Sequence, residues 1–323
     1  MKRHAVIIDT DPGVDDAAAI LTALASPEID LLGLTVVAGN VALPDATANA
    51  CRIVGLSGRQ DVPIYPGAPG PLVRDQIFGK YARIGAFPEV LVPPGGRAPS
   101  VEHAVDFIVR QTMAAAADDA PLTICAIGPL TNIALALVRH PSVGRGIGRI
   151  VSMGATFAAP GHRPPWAEFN VHADPHAAAI VYRSGIPLVL MPLDVTTQAL
   201  FTGEHLDALA KRGGEAGTAL YRLLTAFDRS DPTRYGRPGG PIHDAMTIAW
   251  LVRPDLFETR EAVVDVHAAG SASGLTRADF LATGDRAPNA LVATAIDEAG
   301  YIAFLTERIA SFGNAVAQRS DET

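Results

Sequence analysis

The stretch AVIIDTDPGVDDAAAI, residues 5–20, places an apolar run directly before a turn and an alanine-rich segment. This order predicts a short buried strand, a turn at Pro12 and Gly13, and a helix over 15–25. Half of the residues from position 9 to position 16 are aspartates, and they are Asp9, Asp11, Asp15 and Asp16. Because like charges this close repel one another, the stretch predicts a partner that neutralises them.

The rest of the chain repeats this alternation of strand-like and helix-like segments. Strands separated by helices of about 10–15 residues are typical of a parallel sheet with helices on both faces. Past residue 260 the pattern changes to strand-like segments, a turn at 298–300 and a closing helix, which predicts a small antiparallel C-terminal portion. We therefore expect an α/β fold, a mostly parallel sheet flanked by helices on both faces, in a single domain 1–323 with its core at about 4–312. The predicted strands are 4–9, 30–38, 62–67, 122–128, 149–155, 187–195, 262–270 and 289–297, and the predicted helices are 15–25, 44–58, 101–118, 130–141, 173–185 and 301–313.

Two long irregular stretches interrupt the alternation, at 74–99 and 228–241. Segments of this length without a strand or helix pattern in a compact enzyme are commonly binding loops or lids. The plainer interpretation, a surface insertion without a role in binding, stays open for both stretches.

Composition and charge exclude several classes of protein. The net charge is −8 and no strip of the sequence is rich in lysine and arginine, so nucleic acid is not expected as a partner. No window reaches the roughly 18 apolar residues of a membrane span, and the N-terminus lacks the apolar run of a signal peptide. We therefore expect a cytoplasmic protein with no membrane contact and with two free buried thiols, Cys51 and Cys125.

The aspartate-rich turn falls where this fold class binds ligands. In open α/β sheets the ligands lie outside the carboxyl ends of the strands, and Asp9 to Asp16 span the end of the first strand and the start of the first helix. The helix dipole accounts for one or two acidic residues in a first turn, but not for four. Carboxylate oxygens without a set of cysteines and histidines suit a hard divalent cation such as Ca²⁺ or Mg²⁺.

Other strand ends are expected to complete this site. Asn40 follows the second strand, the bend at Ile127 turns a backbone carbonyl towards the same edge, and Met153 ends a later strand. Asp244 stands at the start of a helix, directly after His243. These positions predict one site at the carboxyl edge of the sheet with a metal ion at its centre.

Seven motifs, in their order along the chain, resemble those of the inosine–uridine-preferring nucleoside hydrolase family. They are DTDPGVDDA, VVAGN, IGPLTN, MGA, AEFNVHADP, LDVT and IHDA, and the resemblance spans 4–312. It implies the family's fold and a Ca²⁺-dependent enzyme that hydrolyses the N-glycosidic bond of ribonucleosides, giving ribose and a free base. It also implies a small-molecule nucleoside as the substrate and assembly into a homodimer or homotetramer.

The resemblance implies a role for each matching residue. Asp11 would take the proton from a water held by Ca²⁺, and His243 would protonate the departing base. The implied metal ligands are Asp11, Asp16, the carbonyl of Ile127 and Asp244. The implied sugar contacts are Asp15, Asn40, Met153, Glu168 and Asn170. Carboxylates around the sugar suit this reaction because its transition state resembles an oxocarbenium ion.

Three positions depart from the family pattern. His162 stands where relatives have an asparagine that contacts the sugar, and Phe78 precedes Gly79 where a histidine is frequent. Ile127 replaces a common threonine, which matters little if only its carbonyl is used. We keep His162 as a sugar contact, and the candidate base contacts are Phe78, Trp166 and Tyr235. The preferred base stays open.

Two other functions remain as alternatives. A non-catalytic ribose- or nucleoside-binding protein could use the same scaffold, and release of free base would distinguish an enzyme from it. A Mg²⁺-dependent aspartyl phosphotransferase would use Asp9 as the nucleophile, since two close aspartates after an apolar strand are typical of that class. Gly13 breaks that signature, and the chain's lysines are limited to Lys2, Lys80 and Lys211.

Overall fold

A computed structural model describes residues 3–80, 82–162, 164–227 and 229–321, with side chains described up to Asn314. Within these ranges a central sheet is covered by helices on both faces, which confirms the predicted α/β fold. Its strands are β1 His4–Thr10, β2 Ile29–Val36, β3 Ile64–Pro66, β4 Leu122–Ala126, β5 Ile147–Met153, β6 Leu188–Met191, β9 Phe257–Val266, β10 Thr276–Asp279 and β11 Ala290–Ile296, and a separate small ribbon pairs β7 Leu200–Phe201 with β8 Gly240–Pro241.

The order of the main sheet is β3-β2-β1-β4-β5-β6-β11-β9-β10. All neighbours from β3 to β11 run parallel, whereas β9 runs antiparallel to both β11 and β10. The antiparallel portion thus lies at one edge of the sheet, built from the C-terminal strands as the sequence predicts.

Helices follow most of the parallel strands and cover the two faces of the sheet. They are α1 Val14–Leu24, α2 Leu43–Ser57, α3 Ala104–Ala117, α4 Thr131–Arg139, α5 Phe169–Ala173, α6 Pro175–Tyr182, α7 Leu193–Thr196, α8 Gly203–Arg212, α9 Gly214–Ala226, α10 Pro232–Tyr235, α11 Ala245–Val252 and α12 Glu298–Asp321, with 3₁₀ turns at Ala82–Ile84, Pro141–Gly146 and Pro254–Leu256. Among the described helices, none combines the length and apolar character needed to cross a bilayer.

The apolar run of β1 serves both faces because side chains alternate along a strand. Val6 and Ile8 pack into an apolar cluster with α1, α2, α9, α11 and α12. Ile7 packs into a second cluster with α3, α4 and α6. All three side chains are fully buried, as expected for a strand in a sheet that is covered on both sides.

The strand order reverses at β1, and this reversal positions the site. From β1 the chain runs outwards to β2 and β3, then crosses back to β4 and continues on the other side through β5 and β6. The carboxyl ends of β1 and β4 therefore flank the point at which doubly wound sheets bind ligands. Asp11 directly follows β1, and Ile127 directly follows β4.

Three local predictions differ from the structure. The predicted strand over 187–195 ends at Met191, because Pro192 begins a turn that leads into the short α7. The predicted turn at 298–300 is instead the first turn of α12. Cys51 is a free thiol as expected, but it is partly exposed on α2, whereas Cys125 is buried in β4.

Candidate active site

A cavity of about 820 Å³ opens at the carboxyl edge of the sheet, beside the ends of β1, β4 and β5. Most of the residues that the sequence predicts for the site line it. These are Asp15, Asn40, Phe78, Ile127, Met153, His162, Glu168, Asn170, Tyr235, His243 and Asp244. Asp11 and Asp16 lie just beneath the wall, with fully buried side chains. Trp166 is 43% exposed and does not belong to the described residues that line the cavity, so its prediction as a base contact finds no support.

The turn between β1 and α1 fixes Asp16 by hydrogen bonds to both carboxylate oxygens. The hydroxyl of Thr10 donates to Oδ1 at 2.6 Å, and the backbone N–H of Gly13 donates to Oδ2 at 2.9 Å. Asn40 reaches the same carboxylate through Nδ2 at 3.3 Å. These contacts hold Asp16 in the first turn of α1 with its carboxylate turned towards the carboxyl edge of the sheet.

Asp11 has one satisfied and one unsatisfied carboxylate oxygen. Its Oδ2 accepts the backbone N–H of Asn40 at 2.6 Å. Its Oδ1 is buried and has no hydrogen-bond partner among the described residues. Gly39 and Gly128 pack against the two oxygens, because a β-carbon at either position would come within 2.8 Å of one of them. A buried carboxylate oxygen without a donor calls for a cation or a proton.

The carboxylates form a tight group in which Asp16 and Asp244 are buried and Asp15 is partly exposed. Asp15, Asp16 and Asp244 each offer an oxygen within 4.8 Å of the others. Burial raises the pKa of Asp16 to about 6, with the charge of Asp15 adding to the effect. Burial also raises the pKa values of Asp11 and Asp244 well above the ordinary range, and repulsion from the neighbouring aspartates raises them further. The four side chains cannot all ionise without a compensating positive charge.

This donor set fits a hard divalent cation. It consists of carboxylate oxygens, with the orphaned Oδ1 of Asp11 beside them, and oxygen ligands of this kind suit Ca²⁺ and Mg²⁺. Asp15, predicted as a sugar contact, belongs to the close group, while Asp11 lies outside that group of three. The carbonyl of Ile127 lines the cavity but also accepts Nδ2 of Asn170 at 2.9 Å, which leaves its second lone pair for another partner.

The side of the cavity expected to hold the sugar is preorganised around the short helix α5. Glu168 caps this helix, since its two carboxylate oxygens accept the backbone N–H groups of Asn170 and Val171 at 2.8 and 3.0 Å. Nδ2 of Asn170 bridges the ends of β4 and β5 by donating to the carbonyls of Ile127 and Met153. Nδ1 of His162 accepts the backbone N–H of Phe169 at 3.2 Å. Hydrogen bonds to the backbone thus hold the side chains of His162, Glu168 and Asn170 in place.

His243 lines the same cavity and is only 9% exposed. Its Nδ1 lies 2.7 Å from the hydroxyl of Thr196 on α7, and its ring meets that of His162 edge-on at 5.7 Å. Burial holds the pKa of His243 well below its usual range, and the charges of His162, Arg229 and Arg234 lower it further. The imidazole is therefore neutral at neutral pH in the substrate-free protein.

Several cavity residues fall outside the sequence predictions. The two irregular stretches supply Lys80, Arg229 and Arg234, so both stretches line the cavity instead of forming plain surface insertions. Charged residues inside predicted binding loops were the available signal for them. Thr10 and Thr196 support Asp16 and His243 from within the quoted motifs DTDPGVDDA and LDVT, but neither motif reveals which side chain they would hold.

Asp9 lies outside the carboxylate group and is part of the sheet. Its Oδ1 accepts the hydroxyl of Thr35 at 2.5 Å and Nδ2 of Asn132 at 2.9 Å. Asn132 also binds the carbonyl of Val36 and the N–H of Ala68, so Asp9 ties β1 to β2 and α4. Burial raises the pKa of Asp9 to about 7. Asp9 is not among the described residues that line the cavity, so a role as nucleophile there finds no support.

Comparison with known proteins agrees with this geometry. The family described as inosine-uridine preferring nucleoside hydrolase matches residues 6–303. The pyrimidine-specific ribonucleoside hydrolase RihA of Citrobacter koseri is 39% identical over 313 residues, which are 96% of this chain and 99% of that protein. RihB of Escherichia coli K12, also pyrimidine-specific, is 37% identical over 300 residues, covering 92% and 94% of the two chains. The solved structure of the purine-preferring ribonucleoside hydrolase of Gardnerella vaginalis is similar with a TM-score of 0.84 at 31% identity, covering 96% of this chain and 99% of that one. With the reversal point of the sheet, the buried carboxylates and these matches taken together, the chain belongs to the family of inosine-uridine preferring nucleoside hydrolases.

Proposed function

We propose that the protein hydrolyses the N-glycosidic bond of ribonucleosides with a Ca²⁺ ion held by Asp11, Asp16, the carbonyl of Ile127 and Asp244. The observation that carries this proposal is the buried carboxylate group, which needs a positive charge and lies at the wall of a cavity large enough for a nucleoside. Asp15 is a further candidate ligand, because it shares the close group with Asp16 and Asp244. When bound, Ca²⁺ would supply positive charge beside the ribose hydroxyls and acidify a water molecule there.

The sugar would bind between the carboxylates and α5. Asp15 and Asn40 line the cavity next to Asp16 and are suited to the ribose hydroxyls. On the other side Glu168, Asn170 and His162 would hold the rest of the ribose, with Met153 packed against it. Carboxylates on both sides stabilise the positive charge that develops on the sugar ring in the transition state.

Asp11 would take the proton from the attacking water. The unpartnered Oδ1 of this side chain is free to accept one, while the bond from the N–H of Asn40 to Oδ2 fixes the carboxylate in place. A positioned general base of this kind contributes about 100-fold to 10,000-fold to a rate. The two glycines that pack against the carboxylate keep it from rotating away.

His243 would act on the departing base. A neutral imidazole carries a proton on one ring nitrogen and accepts a hydrogen bond on the other. In the tautomer that suits the reaction, Nδ1 accepts from the hydroxyl of Thr196 and the proton lies on Nε2. We propose that this Nε2–H is offered to the base as the glycosidic bond breaks. Phe78 and Tyr235 line the cavity and would contact the base from the two irregular stretches.

The preferred base is a matter for direct assay, since the similar proteins include both pyrimidine-specific and purine-preferring hydrolases. The test is release of reducing sugar from uridine, cytidine, inosine, adenosine and 2′-deoxyuridine, with a chelator, with added Ca²⁺ and with added Mg²⁺. We expect ribose release that the chelator abolishes and that Ca²⁺ restores better than Mg²⁺. Binding of ribonucleosides without sugar release would instead support the non-catalytic alternative.

Asp11→Asn tests the proposed base and ligand together. We expect a loss of kcat of about 1,000-fold or more and weaker Ca²⁺ binding in a calorimetric titration. Asp30→Asn is the matched control, because Asp30 is exposed on β2 and lies outside the lining of the cavity. Full activity of Asp11→Asn in the presence of Ca²⁺ would contradict the proposed role.

We further infer a cytoplasmic homodimer or homotetramer. Two free cysteines, one of them buried in β4, are compatible with a reducing compartment. Exposed apolar side chains such as Val73, Val90 and Leu281 offer contact area for a second copy. Light scattering coupled to size-exclusion chromatography measures the assembly, and a purely monomeric protein would contradict it.

A further inference from the structure

An arginine that no sequence motif singles out lies within the cavity. Arg229 follows α9, at the start of the second irregular stretch, and lines the cavity together with Asp15 and His243. Its side chain is only 13% exposed. An arginine keeps its positive charge at every pH at which the protein is folded, so a permanent cation is held inside the substrate site.

Arg229 uses only part of its hydrogen-bonding capacity. Nη2 donates to the carbonyl of Pro241 and lies 3.9 Å from Oδ2 of Asp15. Nη1 is buried and has no hydrogen-bond partner among the described residues. Leaving a buried donor of a charged group unpaired is unfavourable. Arg229 therefore brings a cation with spare donor capacity to the wall of the cavity.

The backbone around Arg229 is closely packed, which limits movement of the side chain. The carbonyl oxygen and β-carbon of Arg229 lie against Gly240, where an added β-carbon would come within 2.7 Å of both. Gly240 belongs to the ribbon of β7 and β8, so the segment is anchored to the rest of the molecule. The point at which the side chain leaves the backbone is thus fixed beside the cavity.

The neighbours of Arg229 indicate which part of a nucleoside it would meet. Nη2 of Arg229 lies 3.9 Å from the carboxylate of Asp15, which is proposed for the ribose, and the positive charge of Arg229 reaches His243, which is proposed for the base. A group between them lies beside the bond that joins the two halves. Every common nucleoside has a hydrogen-bond acceptor next to its glycosidic nitrogen, which is the 2-carbonyl oxygen of a pyrimidine or the ring nitrogen N3 of a purine.

We propose that Arg229 is a catalytic residue that donates from Nη1 to this acceptor and stabilises the negative charge of the departing base. The inference rests on the proposed function and adds a leaving-group contact to it. In the reaction, water attacks C1′ and gives its proton to Asp11, while the electron pair of the C1′–N bond goes to the base. The charge spreads from the glycosidic nitrogen onto the neighbouring acceptor, where the guanidinium binds it. Arg229 gives up no proton, the Nε2–H of His243 remains a hydrogen-bond donor to the departing base, and the released base then takes its proton from water.

The test compares substrates whose leaving groups differ in how much stabilisation they need from the enzyme. Uridine and inosine release poor leaving groups that carry the acceptor, whereas p-nitrophenyl β-D-riboside releases a stable phenolate and lacks it. For Arg229→Met we expect kcat/KM to fall about 100-fold on the two nucleosides and less than about 5-fold on the nitrophenyl riboside. Arg229→Lys, which keeps the charge without the planar fork, should fall between wild type and Arg229→Met.

Arg237→Met is the matched control from the same stretch. Arg237 binds the carbonyl of Gln198 and the carboxylate of Glu298, lies outside the lining of the cavity and is expected to leave all three rates unchanged. Added guanidinium chloride at low concentration should partly restore nucleoside hydrolysis by Arg229→Ala, which a purely structural role would not allow. Thermal unfolding and a Ca²⁺ titration of each variant check the fold and the metal site.

The outcomes separate this inference from the proposed function. A wild-type protein that releases sugar from none of the three substrates contradicts the hydrolysis itself. Wild-type activity with equal losses on all three substrates in Arg229→Met overturns only the role of Arg229 and leaves it as a counter-charge for Asp15. If Arg229→Met does not fold, the test relies on Arg229→Lys. A ratio of kcat/KM on uridine to kcat/KM on the nitrophenyl riboside that equals the wild-type ratio would then overturn the inference.

Discussion

The carboxylate of Asp11 and the α-carbon of Gly39 approach so closely that a β-carbon on Gly39 would lie 2.1 Å from Oδ2 of Asp11. Gly128 lies close to the other oxygen, because a β-carbon there would lie 2.8 Å from Oδ1 of Asp11, so the carboxylate has little room to move. Gly39→Ala is therefore expected to displace Asp11 and lower kcat about 100-fold, with weaker Ca²⁺ binding. Gly203→Ala is the control, since nothing lies within 4 Å of its added carbon. Steady-state kinetics measure kcat for both variants. A Gly39→Ala variant with wild-type activity would show that the site tolerates a displacement of Asp11.

Stability of the Ca²⁺-free protein should fall as the pH rises. Burial raises the pKa of Asp16 to about 6 and that of Asp9 to about 7, from 3.8, and raises the pKa values of Asp11 and Asp244 well above 3.8. The folded state keeps protons that the unfolded chain releases, so the stability that these groups contribute is complete below their unfolded pKa and is lost as the pH passes their folded values. The free energy of unfolding changes by on the order of 1 kcal/mol per pH unit for each retained proton.

Thermal unfolding with a chelator, between about pH 5 and about pH 8, measures this dependence. We expect the Tm to fall across the range, and we expect added Ca²⁺ to raise it most at the alkaline end, because the ion competes with the protons. A chelated protein whose Tm climbs with pH would show that the carboxylates are ionised without a metal.

Substitution of His243 should lower kcat most on substrates whose base is a poor leaving group. His243→Ala is expected to lower kcat about 100-fold on inosine and uridine and to leave the p-nitrophenyl riboside nearly unaffected. Thr196→Val, which removes the hydroxyl 2.7 Å from Nδ1, should show the same selectivity with a smaller loss. Thr197→Val serves as the control, because its hydroxyl binds only the carbonyl of Leu193 in the same helix. Equal losses on both kinds of substrate would argue against a leaving-group role for His243.

Mutation should distinguish two of the candidate base contacts, Tyr235 and Trp166. Tyr235→Ala removes a ring that lines the cavity and is expected to raise the KM for nucleosides several-fold, by about 1 kcal/mol of lost contact. Trp166→Ala is expected to leave KM and kcat unchanged, because its ring is outside the cavity. Kinetics with the preferred nucleoside measure both effects, and a large KM change in Trp166→Ala would show that the loop carrying it closes over the substrate.

The sequence predicts the half of the site that is built on strand ends. An apolar run followed by acidic residues fixes both the strand and the edge at which Asp11 and Asp16 lie, and the same logic places Asn40, Ile127 and Met153. The physical reason is that parallel strands bring their carboxyl ends to one edge, whatever the sequence distance between them.

The rest of the site depends on contacts that no local pattern encodes. Arg229 reaches the cavity only because the segment after α9 returns along the short ribbon of β7 and β8. Trp166 stands two positions before Glu168, yet the turn that precedes α5 leaves it exposed. Similarly, the neutral state of His243 follows from burial and from the nearby charges of Arg229 and Arg234, which depend on how the second irregular stretch folds.

The division of the cavity between strand ends and irregular stretches has a consequence for how such an enzyme diversifies. The groups proposed for the metal and the sugar follow the buried ends of the parallel strands or start the short helices packed beside them, so changing them endangers folding. Phe78, Arg229 and Tyr235 belong to segments outside the main sheet, and exchange of those segments leaves the central scaffold intact. Transplanting 74–99 and 228–241 from a relative of known preference is thus a direct route to a hydrolase that recognises a different nucleobase.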